Sequence, residues 1–417
     1  MSPNVAAGAT AGPRHSDGRN VFVNRATVAG LAGLACAMLT MSTRPAEADP
    51  AASRPRLGDV QQALEALART PEVVGAIGEV YADGERVGKG SAGTRLLNGK
   101  GGRIPIGARF RVGSQTKQMT GVVVLQLVKE GKLALDGKLS DLLPGVAEKD
   151  LVERASEITL QQLVQHTSGI PNFFDDELVD TFDFTTYHPP IELVKKSRTL
   201  PRTQEPGEKF SYSNTNYMLL GLIIERYTGH TLAAEFERRV FDPVGMDDSY
   251  LPTTFPGGIK GPHGHGYFPD STGKPRDVDR LNMSYGYAAG GVISTAHDIS
   301  AFQRAFAQNR LLPEELKKVL MGPPRSAPQP SGQPSGQPSE GGGGQQQPAL
   351  PCGGEPAIMT LKGSAPGFNA VTFTSPDGRM QFALSATLAV SNIDRSLDAL
   401  LVKAAEAVFC PQQQQQS

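Results

Sequence analysis

Tryptophan is absent from this chain of 417 residues, and cysteine occurs only three times. Neither sign of charge dominates: 41 Lys and Arg stand against 42 Asp and Glu, for a formal net charge of −1. That balance removes the electrostatic case for a nucleic-acid partner. Beyond the N-terminal region no stretch approaches the ~20 apolar residues that span a bilayer. Walker loops and dinucleotide fingerprints are missing too, so no cofactor is inferred. The length is sufficient for two lobes with substantial cores.

The N-terminus does carry an apolar run. Arg14, Arg19 and Arg25 precede an apolar stretch over 28–41, and Ala46-Glu47-Ala48 offers a small-x-small cleavage site. This pattern predicts an export signal over residues 1–48, with the mature chain secreted or held in the cell envelope after cleavage near Ala48. No adjacent arginine pair points to the twin-arginine route. Cys36 lies in mid-run, and Gly33 stands where a lipid-modification signal wants an aliphatic residue, so lipidation is not expected. Losing residues 1–48 leaves a mildly acidic remainder.

Periodicity and punctuation organise the rest. Residues 60–67 read as an amphipathic helix, and 73–81 as a strand that turns at Asp83-Gly84 into a return strand. Helices and long loops predominate from 135 to about 281, including a short helix over 159–165 and a strongly apolar one over 216–227 that Gly229 ends. Residues 294–306 read as helical, with Ser294 or Thr295 as cap. Pro, Gly, Gln and Ser fill 323–351, a low-complexity insert that cannot bury enough apolar surface to offset its ordering entropy. Residues 370–374 and 380–387 flank Pro376-Asp377-Gly378 as a hairpin, 394–409 form a last helix, and 411–417 are a disordered tail. Strands at both ends with helices between predict an α/β (α+β) design in which 57–134 and 282–410 share one antiparallel sheet covered by helices. Residues 135–281 would form a mostly helical lobe.

Two short motifs carry chemistry. Ser114-Gln115-Thr116-Lys117 follows Phe110-Arg111-Val112-Gly113 at a strand-to-helix junction and precedes an apolar run. Residues i and i+3 share one helix face, so hydroxyl and amine can meet. The serine N–H also points out of the helix N-terminus, where it can stabilise developing negative charge. Alone, the tetrad is a weak signal and reads as an ordinary N-cap serine with a solvated lysine. Downstream lies Tyr212-Ser213-Asn214. Ser-x-x-Lys with a Ser-x-Asn-type motif belongs to the penicillin-interacting signature, and here Tyr replaces the serine of the second motif. A serine hydroxyl needs a base to take its proton. Lys117 is the nearest candidate and Tyr212 the second; the two would titrate as a coupled set. His166-Thr167-Ser168-Gly169 reads as a buttressing loop. His263 and His265 have no third ligand at a sensible spacing, so they read as solvated loop residues and no metal is expected.

These motifs, with Gly131-Lys132-Leu133, Thr228-Gly229-His230 and Gly290-Gly291-Val292-Ile293-Ser294-Thr295, resemble the serine D-Ala-D-Ala carboxypeptidase and class C β-lactamase family across most of 57–410. Within that family the chain resembles the secreted DD-peptidases. The resemblance implies a β-lactamase/transpeptidase-like fold with the active site in the cleft between sheet and helical lobe. It implies Ser114 as nucleophile and Tyr212 as general base supported by Lys117. Asn214 would bond the acyl amide and Lys117. The backbone N–H groups of Ser114 and Ser364, the latter beside Gly363, would form the oxyanion hole. Tyr285 falls where those DD-peptidases carry a cleft-wall tryptophan. After export two cysteines remain, and an even pair argues for one disulfide, Cys352–Cys410, as the resemblance also does. The partner would be a small molecule or peptide: a cell-wall peptide, a β-lactam or an ester.

The third motif departs from the family. Aligning on Pro366-Gly367-Phe368 puts Gly363 at the family's glycine, Leu361 where Lys or His belongs, and Lys362 on the opposite strand face. Lys362 would contact substrate only through a one-residue slip or bulge. The insert also replaces the upstream strand that carries a carboxylate-gripping arginine in the similar DD-peptidases. Charge-assisted hydrogen bonds contribute roughly 1.5–3 kcal/mol each, so losing two weakens a D-Ala-D-Ala-type substrate by about a hundredfold or more. The leading expectation is a secreted serine hydrolase of DD-carboxypeptidase or β-lactamase type. The alternatives are an esterase or amidase for substrates without a terminal carboxylate, and a non-hydrolytic penicillin-binding module.

Overall fold

Asp83 and Gly84 take positive φ, 53° and 91°, and turn strand β1 (Val73–Ala82) into β2 (Glu85–Gly93). Positive φ at both central residues matches the twist of paired antiparallel strands. The computed structural model describes residues 57–174, 180–202, 204–255, 257–322, 347–349, 358–390 and 396–410. The expected export signal, nearly all of the insert, Cys352 and the glutamine tail lie outside them.

Four further strands follow late in the chain: β3 (Gln347–Ala349), β4 (Ile358–Ala365), β5 (Phe368–Thr374) and β6 (Met380–Leu388). The sheet order is β2-β1-β6-β5-β4-β3, antiparallel throughout. β1 pairs with β6 from Val73↔Leu388 to Ala82↔Met380, so the two ends of the sequence are joined edge to edge. The expected hairpin around Pro376-Asp377-Gly378 is present, with Thr374 opposite Gln381.

Helices cover both faces. On one lie α1 (Val60–Ala68) and α5 (Ser396–Phe409); Leu64, Leu67, Val80, Phe373, Phe382, Leu401 and Val408 form a shared core there. The Asp59 side chain accepts from the Gln61 and Gln62 N–H groups and caps α1. Against the other face stands α4 (Ala296–Ala307), and in the same large core α2 (Thr116–Lys129) packs against α3 (Asn214–Thr228). α2 is buried nearly all round, which is why it shows no polar face. α3 ends at Gly229, φ 72°. Thr295, not Ser294, caps α4 by accepting from Asp298 N–H. Leu133, Leu139, Leu281 and Met283 belong to the same large core, so the hydrophobic interior runs across the expected lobe boundaries.

A buried ion network ties α2 to the following helices. Arg239, 7% exposed, lies 2.5 Å from fully buried Glu235 and 2.5 Å from Glu130. Among the described residues no helix is long and apolar enough to cross a membrane.

Candidate active site

Ser114 sits in a single 3-10 turn, Gly113–Gln115, that leads into α2. Gly113 has φ 52°, and a side chain there would meet the backbone of Ser364. The turn therefore lays Ser114 against strand β4. The same closeness appears from the other side: a Cβ on Gly363 would lie 2.0 Å from Val112 O and 2.7 Å from Ser114 N.

Lys117 lies one turn after Ser114, in the first turn of α2, and is wholly buried. Its ammonium donates to Ser114 Oγ at 3.0 Å, to Asn214 Oδ1 at 2.7 Å and to the Ala289 carbonyl at 2.8 Å. Three donors meet three acceptors, which offsets the cost of burying the charge. The Tyr212 hydroxyl lies 2.8 Å from Ser114 Oγ. The Lys117 ammonium is also 4.8 Å from the centre of the Tyr212 ring. Hydroxyl, amine and phenol thus converge from parts of the chain 98 residues apart.

The surroundings hold that geometry. Asn172 Oδ1 accepts from Asn214 N at 3.0 Å and from Asn214 Nδ2 at 3.1 Å, which aims Asn214 Oδ1 at Lys117. His166 is buried at φ 56°. Its ring stacks on Tyr212 at 4.7 Å, its Nδ1 accepts from Ser213 N, and its carbonyl accepts from Ser211 N. Those contacts grip the backbone on both sides of Tyr212. Because Nδ1 is an acceptor, the ring proton sits on Nε2. Ser168 Oγ donates to Asn216 Oδ1 at 2.7 Å and does not join the cluster around Ser114.

Other expected site residues fall differently. Ser364 is exposed beside the turn that carries Ser114. Tyr285 is 4% exposed, its ring 5.6 Å from Phe174, so it is part of the packed interior next to Phe174. Lys362 does not reach the cluster. Its ammonium is 3.1 Å from Asp398 of α5, and β4 runs through this segment in unbroken register with β5. No slip or bulge turns it round. Strand alternation places Leu361 on the face that Gly363 presents to Ser114, and Leu361 is fully buried. His263 and His265, read as solvated, are only 13% and 21% exposed and are paired with Asp279 and Asp277.

Three contributors escaped the sequence reading: Asn172, the Ala289 carbonyl and the His166 ring as a support for Tyr212. A backbone carbonyl carries no side-chain signature, and Asn172 lies 42 residues from the side chain it orients. Arg111, in the same motif as Ser114, is buried and donates to the Asp279 carbonyl at 3.0 Å, with its guanidinium over Phe368. Burial pushes its ionisation down.

A family model described as Beta-lactamase matches residues 60–407. The chain belongs to that family. Its fold is the β-lactamase/transpeptidase-like one, and the superfamily is one of serine hydrolases. A D-stereospecific amidohydrolase from Streptomyces sp. superposes with a TM-score of 0.67 at 30% identity, covering 85% of this chain and 98% of that one. Penicillin-binding protein 4 of Amycolatopsis lactamdurans is 32% identical over 189 residues, 45% of this chain and 48% of that protein. Lovastatin esterase of Penicillium rubens is 32% identical over 190 residues, 42% and 47% of the two chains. The chain spans about half the length of the curated relatives it matches.

Proposed function

We propose that this chain is an acyl-enzyme serine hydrolase for amides or esters that lack a free carboxylate beside the scissile bond. In this reading Tyr212 takes the proton of Ser114 Oγ as that oxygen attacks the carbonyl carbon. The Lys117 ammonium favours the phenolate form of Tyr212, and the proton from Ser114 neutralises it. The N–H groups of Ser114 and Ser364 receive the oxyanion. The amine or alcohol leaves with the proton from Tyr212, and water then cleaves the Ser114 ester with the same phenol as base.

One observation carries the preference over a D-Ala-D-Ala carboxypeptidase. Leu361 stands on the strand face where the family's cation would meet a terminal carboxylate, while Lys362 is paired with Asp398 on the other face. The similarity to a D-stereospecific amidohydrolase and to lovastatin esterase supports the same direction. Export over residues 1–48 and a Cys352–Cys410 bridge complete the proposal and rest on the sequence pattern.

The test is a substrate comparison on purified full chain. D-amino-acid amides and p-nitrophenyl esters should be turned over, with an acyl adduct on Ser114 detectable by mass spectrometry and lost in Ser114→Ala. Release of D-Ala from a diacyl-D-Ala-D-Ala peptide at a kcat/KM above that for the amides would restore the carboxypeptidase reading.

A further inference from the structure

A small hairpin, Tyr267–Pro269 paired with Pro275–Asp277, brings together four side chains that hydrolysis does not use. His263 and His265 precede it, and Asp277 and Asp279 close it. His263 Nε2 lies 2.7 Å from Asp279 Oδ1, and its Nδ1 lies 2.6 Å from the Gly261 carbonyl. His265 Nδ1 lies 2.8 Å from Asp277 Oδ2. One ring nitrogen of each histidine and one carboxylate oxygen of Asp279 all fall within 4.8 Å of one another, and all three residues are partly buried. Among the described residues this is the one such group. The His-x-His spacing hid it because the third ligand comes from the far arm of the hairpin.

We propose that His263, His265 and Asp279 form a binding site for a zinc-type divalent cation, with Gly261 and Asp277 as its outer support. Two imidazoles and a carboxylate are a zinc donor set, and three protein ligands leave a fourth position for water. The outer contacts carry most of the case. A metal-binding histidine gives its second N–H to a carbonyl or carboxylate, which fixes the tautomer and aims the other lone pair. His263 has the Gly261 carbonyl for this, and His265 has the Asp277 carboxylate. Asp277 thereby gains a role that an ion pair between His263 and Asp279 alone does not give it.

The ligand atoms must close in slightly. A tetrahedral zinc site sets them roughly 3.3 Å apart, so separations that lie within 4.8 Å shrink by about 1.5 Å at most. Side chains that are only partly buried can rotate that far. The cation replaces the proton shared between His263 Nε2 and Asp279. Arg111 opposes it, since its guanidinium donates to the Asp279 carbonyl at 3.0 Å and brings a fixed positive charge close by. The affinity is therefore weaker than that of a closed all-cysteine site. The consequence is structural: a bound cation ties the loop before the hairpin to the segment after it, beside the Gly266–Gly367 contact where a Cβ on Gly266 would lie 2.5 Å from Gly367 O.

Tag-free full chain, stripped with chelator and dialysed, is titrated with zinc chloride by calorimetry and by thermal melting. One saturable equivalent and a raised Tm are expected. His265→Gln and Asp279→Asn each weaken binding at least tenfold, and Asp277→Asn weakens it by about tenfold through the outer support. Cobalt(II) in place of zinc should give the visible spectrum of a tetrahedral site, which decides the matter if a ligand variant fails to fold. No saturable binding up to about 1 mM zinc overturns the proposal. So does unchanged affinity in folded His265→Gln and Asp279→Asn.

Discussion

The Lys362 ammonium lies 3.1 Å from the Asp398 carboxylate, on the face of its strand opposite the one that Gly363 turns toward Ser114. The side chains of this ion pair are 35% and 54% exposed, so it is a surface contact worth about 0–1 kcal/mol. Lys362→Ala should change kcat/KM by less than about twofold on any acyl donor and barely shift the melting temperature. A loss of tenfold or more, confined to substrates with a free carboxylate, would return Lys362 to the binding site.

Tyr212 and Ser168 separate the assigned base from the nearby buttress. Removing a positioned acid–base group costs about 10²–10⁴-fold, so Tyr212→Phe should lower kcat by that order with little change in KM. Ser168→Ala removes a buried hydrogen bond to Asn216 and leaves its Oδ1 short of a donor. Its cost belongs to stability, about 1–3 kcal/mol in chemical denaturation, with a smaller effect on kcat. The reverse order of the two kcat effects would remove Tyr212 from the role of base.

Gly363 tests the closeness of strand and turn. The three atoms nearest a Cβ there are all backbone, Val112 O, Ser114 N and Gln115 N, and none of these can rotate away. Gly363→Ala must therefore displace the turn that carries Ser114. Overpacking of this kind costs about 1–3 kcal/mol, and a shift of about 1 Å at a nucleophile costs about a hundredfold in rate. Burst-phase acylation should fall by that order. Wild-type acylation in the variant would mean that β4 does not press on Ser114.

Glu130 supplies a pH dependence. Arg239 beside it holds its carboxyl at about 2, below its ordinary 4.5. The folded-state value is the lower one, so the contribution is present above about pH 4.5 and is lost as pH falls from there towards 2. Glu130→Gln should lower the urea midpoint at pH 7, and the gap should close near pH 2. A gap that stays constant with pH would show that charge on Glu130 does not stabilise the fold.

Much of this fold was legible in the linear pattern because the forces involved act over a few residues. Asp83-Gly84 announces a turn because both conformations need positive φ. Thr295 and Gly229 mark helix ends because one offers an oxygen to free N–H groups and the other tolerates a left-handed backbone. The largely buried helices Thr116–Lys129 and Asn214–Thr228 showed as apolar runs without amphipathic spacing, so their length was readable and their packing direction was not. The third motif was legible as an anomaly, but its consequence was not.

From the sequence alone come the Ser-x-x-Lys and Tyr-x-Asn motifs, the strand-rich ends, the family resemblance and the mismatch at Leu361-Lys362. These depend on residue identity and on spacing within one turn or one strand. Only the folded chain decides that Lys362 pairs with Asp398, that Ala289 lends its carbonyl to Lys117, and that Asp279 meets His263 and His265. Each of those depends on how separately formed elements are brought together by core packing, and a backbone carbonyl or a distant carboxylate leaves no local trace of the partner it will find.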